Sequence, residues 1–248
     1  MKHIIDSLLE RLEFNKLVSG QQPACAELRT GKRALISGYG AEIFAEELTK
    51  RASANTPKIF LNLPYKPQQA TDKVVLEGNF EEKLSVFPDN TFDLIVLLWT
   101  LPVTKPQEVI ESIWKKLKKE GQIGLVVSLD SSPKIPLKII NQILKEKSSI
   151  KLKLYRTELP ADLSSLRKLM EKPGFVHSRV WGEAITHKYP DANAVFDALI
   201  NQSSQSLFDK KVSSSDQAYI RERFCKLLPP TEGNIEVKFD LGLAAGIK

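Results

Sequence analysis

Phe92-Asp-Leu-Ile-Val-Leu-Leu98 carries a single charge and shows neither helical spacing nor polar alternation. The run is far too short to cross a bilayer, and a continuous apolar stretch of this length suits a strand covered on both faces of a sheet. Working outward, Arg33-Ala-Leu-Ile-Ser37 and Lys58-Ile-Phe-Leu-Asn62 read as strands ahead of it, with Lys73-Val-Val-Leu76 as a short third. Glu42 to Arg51 reads as a helix, and so does Pro106 to Lys119, where Val109, Ile113 and Leu117 recur at spacings of four. Glu120-Gly121 ends that helix, and Gln122 to Ser128 is the next strand. Short apolar strands alternating with amphipathic helices predict an α/β domain with a mostly parallel sheet, in which 33–37, 58–62, 93–98 and 122–128 lie side by side.

The alternation continues with a helix at Ile135 to Lys147, a short strand at Ile150 to Tyr155 and a helix at Pro160 to Glu171. Phe175 to Tyr189 reads as an extended strand, Asp191 to Asn201 and Ser215 to Leu228 as helices, and Asn234 to Lys248 as a closing strand. Two late strands separated only by helices predict an antiparallel pair at one edge. Ahead of all this, Ile4, Leu8, Leu9 and Leu12 form an apolar stripe, so residues 1–30 read as a helical extension of two or three short helices before a domain over 31–248.

Composition removes several classes. Hydrophobic residues at 42% and charged residues at 27% describe an ordinary folded chain, neither disordered nor membrane-spanning. The N-terminus lacks a secretory signal pattern, so the expected location is the cytoplasm. Cys25 and Cys225 show no paired or metal-ligand spacing, and the three histidines are scattered, which argues against a disulfide framework or a metal centre. Cys25, between Ala24 and Ala26, reads as a buried structural thiol. The net charge of +6 is partly local, with Lys115, Lys116, Lys118 and Lys119 crowding one helix end and Lys145, Lys147, Lys151 and Lys153 following. Lysines in a last turn complement the helix dipole, and no nucleic-acid reading motif accompanies them, so sequence-specific nucleic-acid binding is not expected.

In order and spacing these segments resemble the class I S-adenosylmethionine-dependent methyltransferases, nearest the small-molecule branch. Ala34-Leu-Ile-Ser-Gly-Tyr-Gly-Ala-Glu42 stands where that family has a strand followed by its glycine loop. Phe87-Pro-Asp-Asn-Thr-Phe-Asp-Leu-Ile-Val96 is similar to its fourth-strand motif. Leu117-Lys-Lys-Glu-Gly-Gln-Ile123 is similar to the entry into its fifth strand, and Lys168-Leu-Met-Glu-Lys-Pro-Gly-Phe175 to the turn before its sixth. The resemblance implies a Rossmann-like class I methyltransferase fold: a mostly parallel seven-stranded sheet with an antiparallel edge strand and helices on both faces.

It also implies where a methyl donor would sit, over the carboxyl ends of the strands. Gly38, Tyr39 and Gly40 keep the loop, while Glu42 replaces its third glycine and Ile36 stands where the family's first acid is expected. Asn62 falls at the position of the carboxylate that accepts both ribose hydroxyls, and Asn79 at that of the adenine acid. Leu98 and Trp99 complete the implied cofactor-binding set at the end of the fourth strand. An ionised carboxylate is a pure acceptor, whereas an amide also carries donors. Losing three such charge-assisted contacts weakens binding on the order of a hundredfold or more. The run Leu63 to Asp72, with Pro64 and Pro67, is also short on helical pattern for a parallel crossover.

The functional expectation is a methyltransferase-like protein with a degenerate S-adenosylmethionine site, a scaffold or interaction subunit with a protein partner. The alternative is an active methyltransferase on a small-molecule acceptor. No catalytic residue is assigned. His177 and His187, an even number of positions apart in one strand, are weak candidates for a base, and Trp99 at the pocket rim reads as a plug more readily than a stacking platform. If the pocket is open, restoring Asn62→Asp and Asn79→Asp is expected to recover donor binding.

Overall fold

The computed structural model describes residues 1–12, 32–52, 57–63, 73–101, 105–130, 132–147, 158–201, 213–228 and 233–248. The expected buried Cys25, the later part of the N-terminal extension, the crossover over 64–72 and the short strand at Ile150 to Tyr155 lie outside these residues.

Strands β1 (Arg33–Gly38), β2 (Lys58–Asn62), β3 (Val74–Leu76), β4 (Phe92–Leu98), β5 (Leu117–Ser128), β6 (Val176–Tyr189) and β7 (Ile235–Ile247) form one sheet. Its order is β3-β2-β1-β4-β5-β7-β6. Parallel pairing runs from β3 to β5, and β7 is antiparallel to both β5 and β6. The expected mostly parallel sheet with an antiparallel pair at one edge is therefore present. β4 is buried at all seven positions, as its unbroken apolar run requires.

Helices cover both faces. α1 (Lys2–Arg11) and α2 (Ala41–Ala52) lie on one, where Ile4, Ile5, Leu8, Phe44 and Leu48 pack against Ala34, Ile36, Leu94 and Val96. On the other face lie α3 (Phe80–Ser85), α4 (Pro106–Lys116) and α6 (Leu163–Glu171), whose Leu84, Ile110, Ile113, Leu166 and Met170 meet Leu35, Ile95 and Leu97. Phe60, Phe87 and Phe92 close this layer edge to face, with ring centroids 4.9–5.8 Å apart. α1 thus shares a core with β1.

Between β5 and α6 lies α5 (Lys134–Glu146), and between β6 and β7 lie α7 (Ala192–Asn201) and α8 (Ser214–Leu227). These three build a third core in which Ile140, Ile143, Phe196, Ile220 and Phe224 pack on Val237 and Phe239. The β6–β7 ladder runs on past Ser128↔Leu241, the last β5 pair, to Tyr189↔Ile235. The extra lobe therefore stands at the carboxyl-end side of the parallel strands.

One boundary differs from the sequence expectation. α4 ends at Lys116 rather than Lys119, and Leu117 already pairs with Phe92 in extended conformation. The N–H groups of Asn90 and Thr91 take the carbonyls of Lys115 and Lys116, so the helix has its C-terminal acceptors satisfied there. Leu117 is fully buried either way, which is why the four-residue spacing cannot reveal the change of backbone. Lys118 and Lys119 consequently belong to β5 and not to a helix terminus; Lys118 pairs with the buried Asp93 at 2.9 Å, and Lys116 with Asp89 at 2.8 Å.

Candidate functional site

Strand register brings the implied donor-site residues together at the carboxyl ends of the parallel strands. Gly38 pairs with Leu98, Ser37 with Asn62, and Asn62 with Leu76. Tyr39 and Gly40 turn out of β1 immediately after, and Trp99 leaves β4 beside them. Gly38, Tyr39, Gly40, Asn62, Leu98 and Trp99 thus lie around the carboxyl ends of β1, β2 and β4, with Asn79 just past β3.

The glycine loop is held by the fold itself. Gly38 has φ +111°, and a Cβ there would lie 1.9 Å from the Leu98 carbonyl oxygen, closer than any atom tolerates. The Tyr39 N–H donates to that same oxygen at 3.1 Å. Gly40 has φ +81°, and a Cβ on it would meet Met1 Sδ at 2.8 Å, because the start of α1 rests on the loop. Both glycines have packing reasons that involve no ligand. Met1, Tyr39 and Ile43 are exposed around this loop.

Asn62 is 5% exposed, and its side chain is committed on both sides. Its Oδ1 accepts from Ser37 Oγ at 2.9 Å, and its Nδ2 donates to the carbonyls of Gly78 at 2.9 Å and Leu76 at 3.1 Å. One amide therefore ties the tip of β1 to the end of β3 and the turn after it. An amide has two N–H donors, and both are used here, leaving a single lone pair on Oδ1. A carboxylate at this place would meet two carbonyl oxygens with no donor of its own.

Asn79 has a different task. It is the N-cap of α3, and its Oδ1 accepts from the Glu81 N–H at 2.8 Å. This short helix escaped the sequence reading, although Asn followed by Phe-Glu-Glu is a usable start signal. Trp99 adopts φ +57°, donates its N–H to Val126, and packs half-buried against the core under α1 and α2. Ser37 was not singled out from sequence; only the β1–β2 register makes it the partner of Asn62.

The two histidines do not meet. His177 sits in a bulge of β6 at φ +49°, whereas His187 packs edge to face on Phe239 at 5.4 Å. Ten positions along a strand separate them by roughly 30 Å, so they form no joint site. Cys225 lies beside Asn193 Oδ1 at 3.4 Å, and burial pushes its thiol up, against activation as a nucleophile. Among the described residues no helix is long and apolar enough to cross a membrane.

Residues 34–125 match the family model described as "Methyltransferase domain". No curated protein matches the chain. Among solved structures, the YcgJ protein from Bacillus subtilis is 15% identical, with 93% of this chain and 97% of that one covered and a TM-score of 0.53. A putative methyltransferase from Bacillus halodurans C-125 is 14% identical over 93% of this chain and 98% of that one, at a TM-score of 0.49. At these identities the likeness concerns the fold, and it rests on the first of the two. Strand order, the glycine loop at the end of β1 and the matched segment agree: residues 34–125 carry a methyltransferase domain, set in a chain with the Rossmann-like class I methyltransferase fold.

Proposed function

We infer that this is a methyltransferase-fold protein whose donor site is degenerate and which serves as a scaffold or interaction subunit in the cytoplasm. The observation that carries the reading is the commitment of Asn62: both of its donors and one acceptor site are engaged by Gly78, Leu76 and Ser37. As folded, it offers a ribose diol one lone pair where the family's carboxylate offers four. Asn79 adds to this, since its acceptor holds the first turn of α3. With these hydrogen bonds in place, the residues at the two positions do not fit the ribose and adenine contacts.

A second reading, an active methyltransferase on a small-molecule acceptor, is favoured by one feature: Gly38 and Gly40 keep the positive-φ loop that lets a ligand approach the backbone. Thermal melting and calorimetric titration with S-adenosylmethionine separate the two. A ligand at one hundred times its dissociation constant stabilises a protein by about 2.7 kcal/mol, an easily read rise in Tm. We expect no shift at millimolar donor. A micromolar dissociation constant for the unmodified protein would defeat the scaffold reading and establish the enzyme as the better one.

A further inference from the structure

At the opposite end of the sheet from the glycine loop, where β5 begins and β7 ends, lies a cavity of about 360 Å³. Its polar lining is Arg11 from the end of α1, Gln122 of β5, and His177 and Arg179 of β6. The hollow has a backbone origin. β6 bulges between Val176 and Arg179, placing His177 at φ +49°, and β7 lines the hollow with Ala245, Gly246 and Ile247.

Two observations point to a ligand. Gln122 is 3% exposed, and its side-chain amide makes no hydrogen bond to any described residue, though it lines the cavity. Its polar atoms are not sealed from solvent, so the cavity is where this otherwise buried amide finds its hydrogen bonds. Arg11, for its part, is fixed in advance. Its Nη1 donates to the Ser7 carbonyl at 3.1 Å and to Ser7 Oγ at 3.0 Å, and its guanidinium lies 4.4 Å from the Trp181 ring centroid. Trp181 Nε1 in turn donates to Ser7 Oγ at 3.1 Å, and Ser7 Oγ donates to Glu183 at 2.9 Å. Glu183, the carboxylate of this network, is thus engaged by Ser7 while Arg11 keeps Nε and Nη2 without a hydrogen bond among the described residues.

We propose that this cavity binds a small molecule bearing an oxyanion, a carboxylate or a phosphate, with Arg11 and Arg179 meeting the charge and Gln122 pairing with a neighbouring polar group. Planar guanidinium groups match such oxyanions with two parallel hydrogen bonds, and the volume falls within the ~300–1,000 Å³ of small-molecule sites. The site is independent of the donor position, which lies at the other ends of the strands.

The test is calorimetric titration of the full chain at low ionic strength with two probes, inorganic phosphate and succinate. We expect saturable one-to-one binding of at least one probe, weakened about tenfold or more by Arg179→Ala and by Gln122→Leu and unchanged by Lys145→Ala on α5. Binding of phosphate alone assigns the phosphate chemistry, and binding of succinate alone the carboxylate. Arg179 is exposed, so its variant keeps the fold even where Gln122→Leu disturbs it. No saturable binding of either probe at about 10 mM would overturn the proposal. So would equal weakening by Arg179→Ala and Lys145→Ala, which would mark general charge attraction.

Discussion

Replacing Asn62 by Asp separates a structural amide from a vacant acid position. On resemblance alone the substitution restores the ribose carboxylate; in the folded chain it removes two donors and sets an oxygen against the carbonyls of Gly78 and Leu76, now 2.9 and 3.1 Å from Nδ2. Each lost hydrogen bond costs about 1 kcal/mol, and stranding buried acceptors beside a buried charge raises the total to roughly 2–5 kcal/mol at neutral pH. For a chain of this length that is a fall in Tm of roughly 5–15 °C. Burial and the facing carbonyls raise the new carboxyl's pKa in the folded state, because they disfavour its charged form. The sign of the pH effect follows: the folded state binds the proton more tightly, so the penalty is largest above the folded pKa and shrinks as pH falls toward the unfolded value. Urea denaturation of the two proteins at pH 7 and pH 5 reads both quantities, and S-adenosylmethionine titration runs alongside. An Asn62→Asp protein as stable as the parent at pH 7, or one that gains micromolar donor affinity, would refute the reasoning.

Gly38→Ala is expected to cost more than 3 kcal/mol or abolish soluble expression, because its Cβ collides with the Leu98 carbonyl at a positive φ; a Tm near the parent's would contradict the loop geometry. Asp162 caps α6 through the Ser165 N–H at 2.7 Å, a bond that lowers its pKa. Its charge therefore stabilises fully above the unfolded value of about 3.9, and that stability is lost as pH falls through the folded one. Asp162→Asn keeps an acceptor without the charge, so its melting deficit should be constant from pH 5 to 8 and close in acid; a deficit independent of pH counts against this. Among the described residues, Lys118→Ala leaves the buried Asp93 with the Arg33 N–H at 2.9 Å as its one hydrogen-bond donor, and it should cost about 1–2 kcal/mol in chemical denaturation. Binding to a defined oligonucleotide should not exceed binding to its scrambled sequence at physiological salt, and a large preference in a competition assay would reopen the nucleic-acid reading.

Sequence alone determined the α/β class, because buried strands such as Phe92–Leu98 and helices with a four-residue stripe satisfy their backbone in only one kind of layered sheet. It also located Gly38, Asn62 and Trp99 at strand ends, since strand position is read from local pattern. It could not locate the end of α4, where Leu117 is buried on either side of the helix-to-strand change. Nor could it say what Asn62 does. An amide at the ribose position reads as a lost acid while its neighbours are unknown. Only the parallel register of β1, β2 and β3 sets Ser37 Oγ and the carbonyls of Leu76 and Gly78 within hydrogen-bond reach of it. Those contacts join residues far apart in the chain, and hydrogen-bond saturation is a property of distances that no local pattern encodes.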